Sequence, residues 1–366
     1  TMNFFILGSH PELSAAEIKA VTGKSGTRYG EVLVVDDVDT SLPNLQNRLA
    51  GTIKIGSIVG SLKTWNKDEA ADLVRSMITE RDGKVHFGIS IYGQNLSRNA
   101  EPLGLEVKKK LKEDGISCRL VTSKEATLSS VVVQKNHLLQ SGGEFVVIQG
   151  HGEILIGQTE TIQDFEAWSE RDFGRPARDA KSGMLPPKLA RMMINLSGVD
   201  PAKALLLDPF CGSGTIPMEA SLMGFHEVVG ADISEKAVKD SAKNLRWALP
   251  DTAVPQIMLS PAEDLKLDGH VDVVVTEPYL GPPQRGGEEK MQIDNLRTEL
   301  TSLYIKSFAN IHRLMKPKAK LVVAFPLFNK LSAMTKPLPG FHLEERFVYE
   351  REGQRVGREI LVYTRE

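Results

Sequence analysis

The chain has 366 residues, 41% of them apolar and 25% charged, with a formal net charge of −2. At about 150 residues per domain that length suggests two or three domains, and the composition excludes wholesale disorder and collagen-like structure. The longest apolar runs fall far short of the roughly 20 residues of a membrane span, and two cysteines with no CxxC pair argue against a disulfide framework or a cysteine zinc site.

The opening Thr1-Met2-Asn3-Phe4-Phe5 has no basic segment followed by an apolar one, so no signal peptide is expected and Thr1 reads as a residue left by cloning. A reducing cytoplasm is the expected compartment. From residue 3 to about 163, apolar stretches at 4–7, 32–35, 87–91, 131–133, 145–148 and 154–156 read as short strands. Pro11-Glu12-Leu13-Ser14 opens one helix, and residues 104–113 form another with the lysines outward. This mixture predicts two small α+β units. A segment from 164 to about 198 follows, and a Pro186-Pro187 pair starts a helix over 187–196.

The second half predicts strands at 204–207, 227–231, 256–259, 271–276, 320–325 and 358–363. Between them lie helices at 218–223, 234–247 (with Ser234 as its cap) and 297–314. Strands alternating with helices argue a parallel, doubly wound α/β sheet, whose ligands sit at the carboxyl ends of the strands. Asp208, Asp232 and Glu277 each fall at such an end. A glycine turn between strand and helix lets a backbone approach a ligand. Asp232, 24 positions after Asp208, suits a ribose diol. Pro217 stands where a dinucleotide fingerprint would need its third glycine.

Charge is patterned on this neutral background. Seven basic residues face four acidic ones between Arg98 and Lys124, and six face three between Arg171 and Asp200. These segments suit a protein that grips a phosphate backbone, or are simply solvated surface. Lys108, Lys109 and Lys110 could meet phosphates or solubilise a helix face. Arg171, Arg175 and Arg178 suit phosphate forks or structural ion pairs equally well. The eight histidines show no HxxxH or HExxH spacing, so no metal is expected. Cys211 reads as a packing residue, and Trp65, Trp168 and Trp247 as core anchors.

The string Asp208-Pro209-Phe210-Cys211-Gly212-Ser213-Gly214-Thr215 resembles motif I of S-adenosylmethionine-dependent methyltransferases, particularly those acting on an exocyclic amino nitrogen. The resemblance implies that this turn holds the methionine part of the cofactor and that Asp232 bonds the ribose hydroxyls, with Leu185 and Ile233 completing the site. The adenine contact falls to Glu263, Asp264 or main chain near Ala262, because Pro261 stands where such proteins often carry Asp. The expected Asp/Asn-Pro-Pro-Tyr motif is matched by Glu277-Pro278-Tyr279-Leu280. A carboxylate and a carbonyl accepting the hydrogens of a base amine would localise its lone pair toward the methyl group. Glu277 and Pro278 take those roles, and Tyr279 becomes the wall for a flipped base.

The stretches 168–176 and 182–191 resemble the linker and leading helix of THUMP-containing tRNA (guanine-N2) methyltransferases, and residues 4–18 resemble their N-terminal unit. The resemblance implies a ferredoxin-like domain at 1–63, a THUMP RNA-binding domain at 64–165, a linker and helix at 166–198 and a seven-stranded, Rossmann-like methyltransferase domain at 199–366. It implies tRNA as partner, held by basic residues that include Lys188 and Arg191, and methylation of guanosine 10 as the activity, yielding S-adenosylhomocysteine. A small activator subunit is a further partner that the resemblance admits and no residue points to. Alternatives are a catalytically silent tRNA-binding protein, an enzyme acting on ribosomal RNA guanine or on a DNA amino group, and a nicotinamide-dependent oxidoreductase.

Overall fold

A computed structural model describes residues 1–78, 83–178, 184–250, 252–284 and 286–366. The chain forms two compact units, Thr1–Phe165 and Glu166–Glu366. Ser182, Gly183 and Lys181, which belong to the predicted linker motif and its basic segment, lie outside the described residues.

The first unit runs β1 (Met2–Leu7), α1 (Pro11–Thr22), β2 (Thr27–Tyr29), β3 (Val32–Asp36), α2 (Leu42–Arg48) and β4 (Thr52–Leu62). It continues with α3 (Lys67–Met77), β5 (Val85–Tyr92), α4 (Ala100–Glu113), β6 (Cys118–Val121), α5 (Ser130–Lys135), β7 (Gly143–Gln149) and β8 (Ile154–Ile162). These strands make one sheet in the order β2-β3-β1-β4-β8-β7-β5-β6. The boundary expected at 63/64 follows β4, yet β4 pairs with β1 on one side and β8 on the other. The two predicted units therefore share a sheet.

Residues on both faces of that sheet are buried. Along β1, Phe4 and Ile6 join one apolar cluster while Phe5 and Leu7 join another, as the two-residue strand period requires. Lys54 of β4 and Glu144 of β7 form a buried ion pair at 2.5 Å, with side chains 2% and 0% exposed. Ser90 and Thr159 donate to the same carboxylate, and Lys54 also donates to the Leu128 carbonyl. A buried charge pair is tolerated when its remaining sites are bonded in this way. The valines at 131–133, read as a strand, belong instead to α5, where Val133 is buried and Val131 is exposed. Ser129 caps that helix by accepting from the Val132 amide at 3.3 Å. A three-residue apolar run cannot distinguish the two periods.

The second unit begins with α6 (Phe165–Ser169), a π-helical turn at Glu170–Gly174, α7 (Pro187–Leu196), β9 (Leu205–Asp208), α8 (Thr215–Leu222) and β10 (Glu227–Asp232). There follow α9 (Glu235–Ala248), β11 (Gln256–Leu259), β12 (Val271–Thr276), α10 (Lys290–Leu314) and β13 (Met315–Phe328). Then come β14 (Leu331–Ser332), β15 (Phe341–Tyr349) and β16 (Val356–Arg365). The main path of the sheet is β11-β10-β9-β12-β13-β16-β15, seven strands, and the two-residue β14 pairs with β13 off that path. Strands β9 to β13 are parallel, while β16 is antiparallel to both its neighbours. The chain winds outward from β9 in both directions, which makes the tip of β9 the switch point where such sheets open a crevice.

Three differences from the sequence reading have local causes. Helix α10 starts at Lys290 rather than near 297 because Glu289 and Gln292 form a capping box. Helix α8 starts at Thr215, directly on the glycine turn, and Pro217 is accommodated because first-turn N–H groups have no intrahelical partner. Strand β15 went unpredicted because residues 342–346 are all exposed and the strand lies at the sheet edge. The core of this unit packs Tyr304, Phe308 and Ile311 of α10 against Leu321, Val323 and Phe325 of β13.

Candidate functional site

A cavity of about 610 Å³ opens over the tips of β9, β10 and β12. Leu185, Asp208, Pro209, Phe210, Cys211, Gly212, Ser213, Thr215, Asp232, Ile233, Ala262, Glu263, Glu277, Pro278 and Tyr279 all line it. Two of the predicted cofactor residues do not. Gly214, buried within the turn, is not part of the lining, and Asp264 is exposed outside it. Of the alternatives for the adenine contact, Glu263 and the Ala262 segment remain, with Glu263 paired to Lys306 at 2.9 Å.

The turn is built by backbone conformation. Gly212 and Gly214 have φ of +52° and +85°, the left-handed region that favours glycine. A Cβ on Gly214 would come within 2.4 Å of Ser241 Oγ, so α9 packs on this residue closely enough to need a hydrogen there. Asp232 holds the turn from the next strand: one carboxylate oxygen accepts the Gly212 amide at 3.0 Å and the other the Ser234 amide at 2.8 Å. Asn244, which no sequence motif marked, donates from its amide to the carbonyls of Ser213 and Ala177, each at 2.9 Å, and accepts the Ala177 amide.

Asp208 is buried at the tip of β9, and its Oδ1 accepts from Thr276 Oγ1 at 2.6 Å and from the Phe210 amide at 3.2 Å. Burial pushes its pKa up to about 7; the two hydrogen bonds oppose that rise, and the nearby charges of Asp232 and Glu277 add to it. Burial likewise raises the Cys211 thiol, which suits a packing residue rather than a thiolate nucleophile.

Glu277 is held by a residue 81 positions away that the sequence did not flag. Arg358 of β16 forks onto its carboxylate, Nε to Oε2 and Nη2 to Oε1, the second at 3.3 Å. Burial raises the Glu277 pKa while the arginine opposes that rise. The backbone beyond Pro278 is fixed by Tyr304, whose hydroxyl donates to the Tyr279 carbonyl at 2.5 Å. The Tyr279 ring itself stays 56% exposed.

Several residues read as phosphate contacts turn out to be inward. Arg171 and Arg191 both pair with Glu219, a carboxylate buried on α8, at 2.7 Å each. Both guanidiniums also lie over the Trp168 ring, 4.2 and 4.9 Å from its centroid, with Lys188 at 5.8 Å. Arg175 is 3% exposed and donates from Nη1 to Thr215 Oγ1 at 2.6 Å, with burial lowering its pKa. These side chains tie the linker to α7 and α8. A buried carboxylate needs paired donors, and that need outcompetes solvent for the arginines. Arg178 is exposed, its guanidinium 5.4 Å from the Phe173 ring. In the first unit Lys109 and Lys110 pair with Glu106 and Asp72 at 3.7 and 2.8 Å, and Lys108 is partly exposed. The three tryptophans are core anchors as expected: Trp65, Trp168 and Trp247 pack into buried clusters or are buried themselves.

Residues 175–336 match the family described as RMKL-like, methyltransferase domain. Among curated proteins, the chain is 28% identical over 359 residues to a tRNA (guanine(10)-N2)-dimethyltransferase of Methanothermobacter thermautotrophicus, covering 96% of this chain and 94% of the relative. It is also 28% identical over 156 residues to the Pyrococcus abyssi protein of the same name, covering 43% of this chain and 41% of the relative. Among solved structures, TrmN from Thermus thermophilus superposes with a TM-score of 0.58 at 18% identity, covering 100% of both chains. SMU.472 complexed with SAH superposes with a TM-score of 0.54 at 13% identity, covering 100% of this chain and 98% of the other. The structural likenesses establish the fold, and the resemblance read from motif I is borne out by the domain match and the curated relatives.

Proposed function

We propose that this chain, whose residues 175–336 match an RMKL-like methyltransferase domain, is an S-adenosylmethionine-dependent tRNA methyltransferase acting on the exocyclic N2 of guanosine 10. The observation that carries this reading is the convergence in one cavity of the glycine turn, Asp232 and the Glu277-Pro278-Tyr279 segment. The near-complete extent of the likeness to the Methanothermobacter relative supports the target.

The residues present fit that cofactor. The cavity volume of about 610 Å³ falls within the roughly 300–1,000 Å³ of small-molecule sites. Each carboxylate oxygen of Asp232 accepts one backbone amide and keeps a second lone pair for a ribose hydroxyl. Phe210, Ile233 and Leu185 offer apolar walls. When bound, S-adenosylmethionine supplies an electrophilic methyl group on a sulfonium. A guanine N2 is a poor nucleophile because its lone pair is delocalised into the ring. Glu277 and the Pro278 carbonyl accept its hydrogens and localise that pair, and the exposed Tyr279 ring is the stacking wall. In this reading residues 1–63 form the ferredoxin-like part and 64–165 the THUMP module that holds tRNA, with Lys108, Lys109 and Lys110 on its surface helix and Arg178 beyond it.

The test incubates the protein with isotope-labelled S-adenosylmethionine and an unmodified tRNA transcript, followed by mass spectrometry of the nucleosides. The expected product is N2-methylated guanosine, lost when position 10 is changed to adenosine. Glu277→Ala should keep cofactor affinity within a few-fold and lose transfer. A protein that binds both partners and transfers nothing would be a silent tRNA-binding protein. Methylation of ribosomal RNA or DNA instead would replace the target.

A further inference from the structure

The carboxylate of Glu277 does not stand alone at the cavity wall. Its side chain is one methylene longer than the Asp found in the motif it resembles, so it has one more rotatable bond to fix. Arg358 supplies the restraint: its two bonds to the carboxylate go to different oxygens, and the two side chains are 4% and 11% exposed. Arg358 is the third residue of β16, paired with Pro326 of β13 and Tyr349 of β15, so its backbone is anchored on both sides. An ionised carboxylate offers about four lone-pair sites. A two-point fork takes one on each oxygen and leaves one on each for another donor.

We infer that Arg358 is the positioning residue for Glu277, holding its carboxylate in one orientation, ionised and with acceptor capacity free for the substrate amine. The inference rests on the methyl-transfer reading above. A carboxylate that rotates, or that gains a proton, no longer accepts from that amine. The groups around the pair act in opposite directions. Asp208 from β9 is a neighbouring acid whose charge opposes that of Glu277, and Tyr304 from α10 and Tyr349 from β15 are the hydroxyls beside Glu277 and Arg358. Arg358 is the cation bonded to the carboxylate within this set. Burial without it would favour the neutral acid.

The test uses the full chain with Arg358→Met and Arg358→Lys. Two quantities are read: kcat and KM for methyl transfer to tRNA across pH, and the titration of Glu277 by carbon-13 resonance of labelled glutamate carboxyls, with the signal identified by its loss in Glu277→Gln. The expected result for Arg358→Met is a kcat lower by about 10²-fold, the scale of a misplaced catalytic group, with KM for S-adenosylmethionine within a few-fold. The acid limb of kcat and the Glu277 titration should move together to higher pH. Arg358→Lys, which keeps the charge and loses the fork, should restore the titration more fully than kcat. An unchanged kcat and pH profile in Arg358→Met overturns the inference, as does a titration shift with kcat unaltered, which marks a structural ion pair only. Should Arg358→Met fail to fold, Arg358→Lys carries the test, and wild-type kcat and profile in that variant overturns the role of the fork. A wild-type protein that binds S-adenosylmethionine and methylates nothing overturns the methyl-transfer reading itself, and this inference with it.

Discussion

The carboxylate of Asp232 accepts the amide of Gly212 at 3.0 Å, so the tip of β10 holds the turn that follows β9. Two segments distant in sequence are thereby locked into one cradle, and Asp232 acts on the turn as well as on whatever the turn holds. Asp232→Ala should weaken S-adenosylmethionine binding by about 1–3 kcal/mol, the scale of a removed hydrogen-bond partner. Calorimetric titration checks it, and an affinity insensitive to the change rejects the ribose assignment.

The two glycines of the turn should differ in their tolerance. Gly214→Ala meets both the positive φ of +85° and a Cβ only 2.4 Å from Ser241 Oγ. Gly212→Ala meets a φ of +52° with no atom within 4 Å. The Gly212 change should cost about 1–2 kcal/mol, the left-handed penalty alone. Gly214→Ala should cost more than that, and urea unfolding of the pair measures the order. Equal losses would mean that α9 yields at Ser241.

Asp208 should make stability fall as pH rises toward neutrality. Its folded pKa of about 7 lies above the ordinary 3.8, so between those values the folded state keeps a proton that the unfolded chain has released. Stability then declines with rising pH across that window and levels off above it. Asp208→Asn keeps an oxygen to accept from Thr276 and removes the titration. Its melting temperature should lose this component of pH dependence between pH 5 and 8. Parallel melting curves for the two proteins would show that Asp208 does not titrate there.

Arg171 and Arg191 should matter for stability and not for RNA affinity. Both share the buried carboxylate of Glu219. Glu219→Ala leaves two like charges facing each other without a counter-ion, at a cost of about 3–5 kcal/mol. Arg171→Ala should lower the melting temperature while the salt dependence of tRNA binding keeps its wild-type slope. A slope shallower by roughly one, as a lost phosphate contact produces, would return Arg171 to the RNA surface.

The order of strands and helices from β9 to β13, the glycine turn and the acidic residues at three strand tips were legible in the chain alone. Each is written in a short window. Alternation of apolar runs, a Ser234 cap and glycines at positive φ are decided by neighbours a few residues away, and motif I added a string long enough to identify. Strand β15 was not legible, since on this edge strand the run Glu344-Glu345-Arg346 interrupts the apolar positions and leaves no continuous apolar stretch. Helix α5 was misread because its three valines fit either period.

What only the tertiary structure decided is the use of the charged side chains. An arginine reads the same in sequence whether it faces RNA, folds back on Glu219, or crosses 81 residues to reach Glu277. Pairing of charges depends on distance in space and on burial, and neither is set by spacing along the chain. The sequence by itself thus determined where the cavity forms, because backbone turns and strand ends are local. Which cation meets which carboxylate around it was decided by the packing of β16, α7 and α8, because desolvation makes an unpaired buried charge too costly to leave alone.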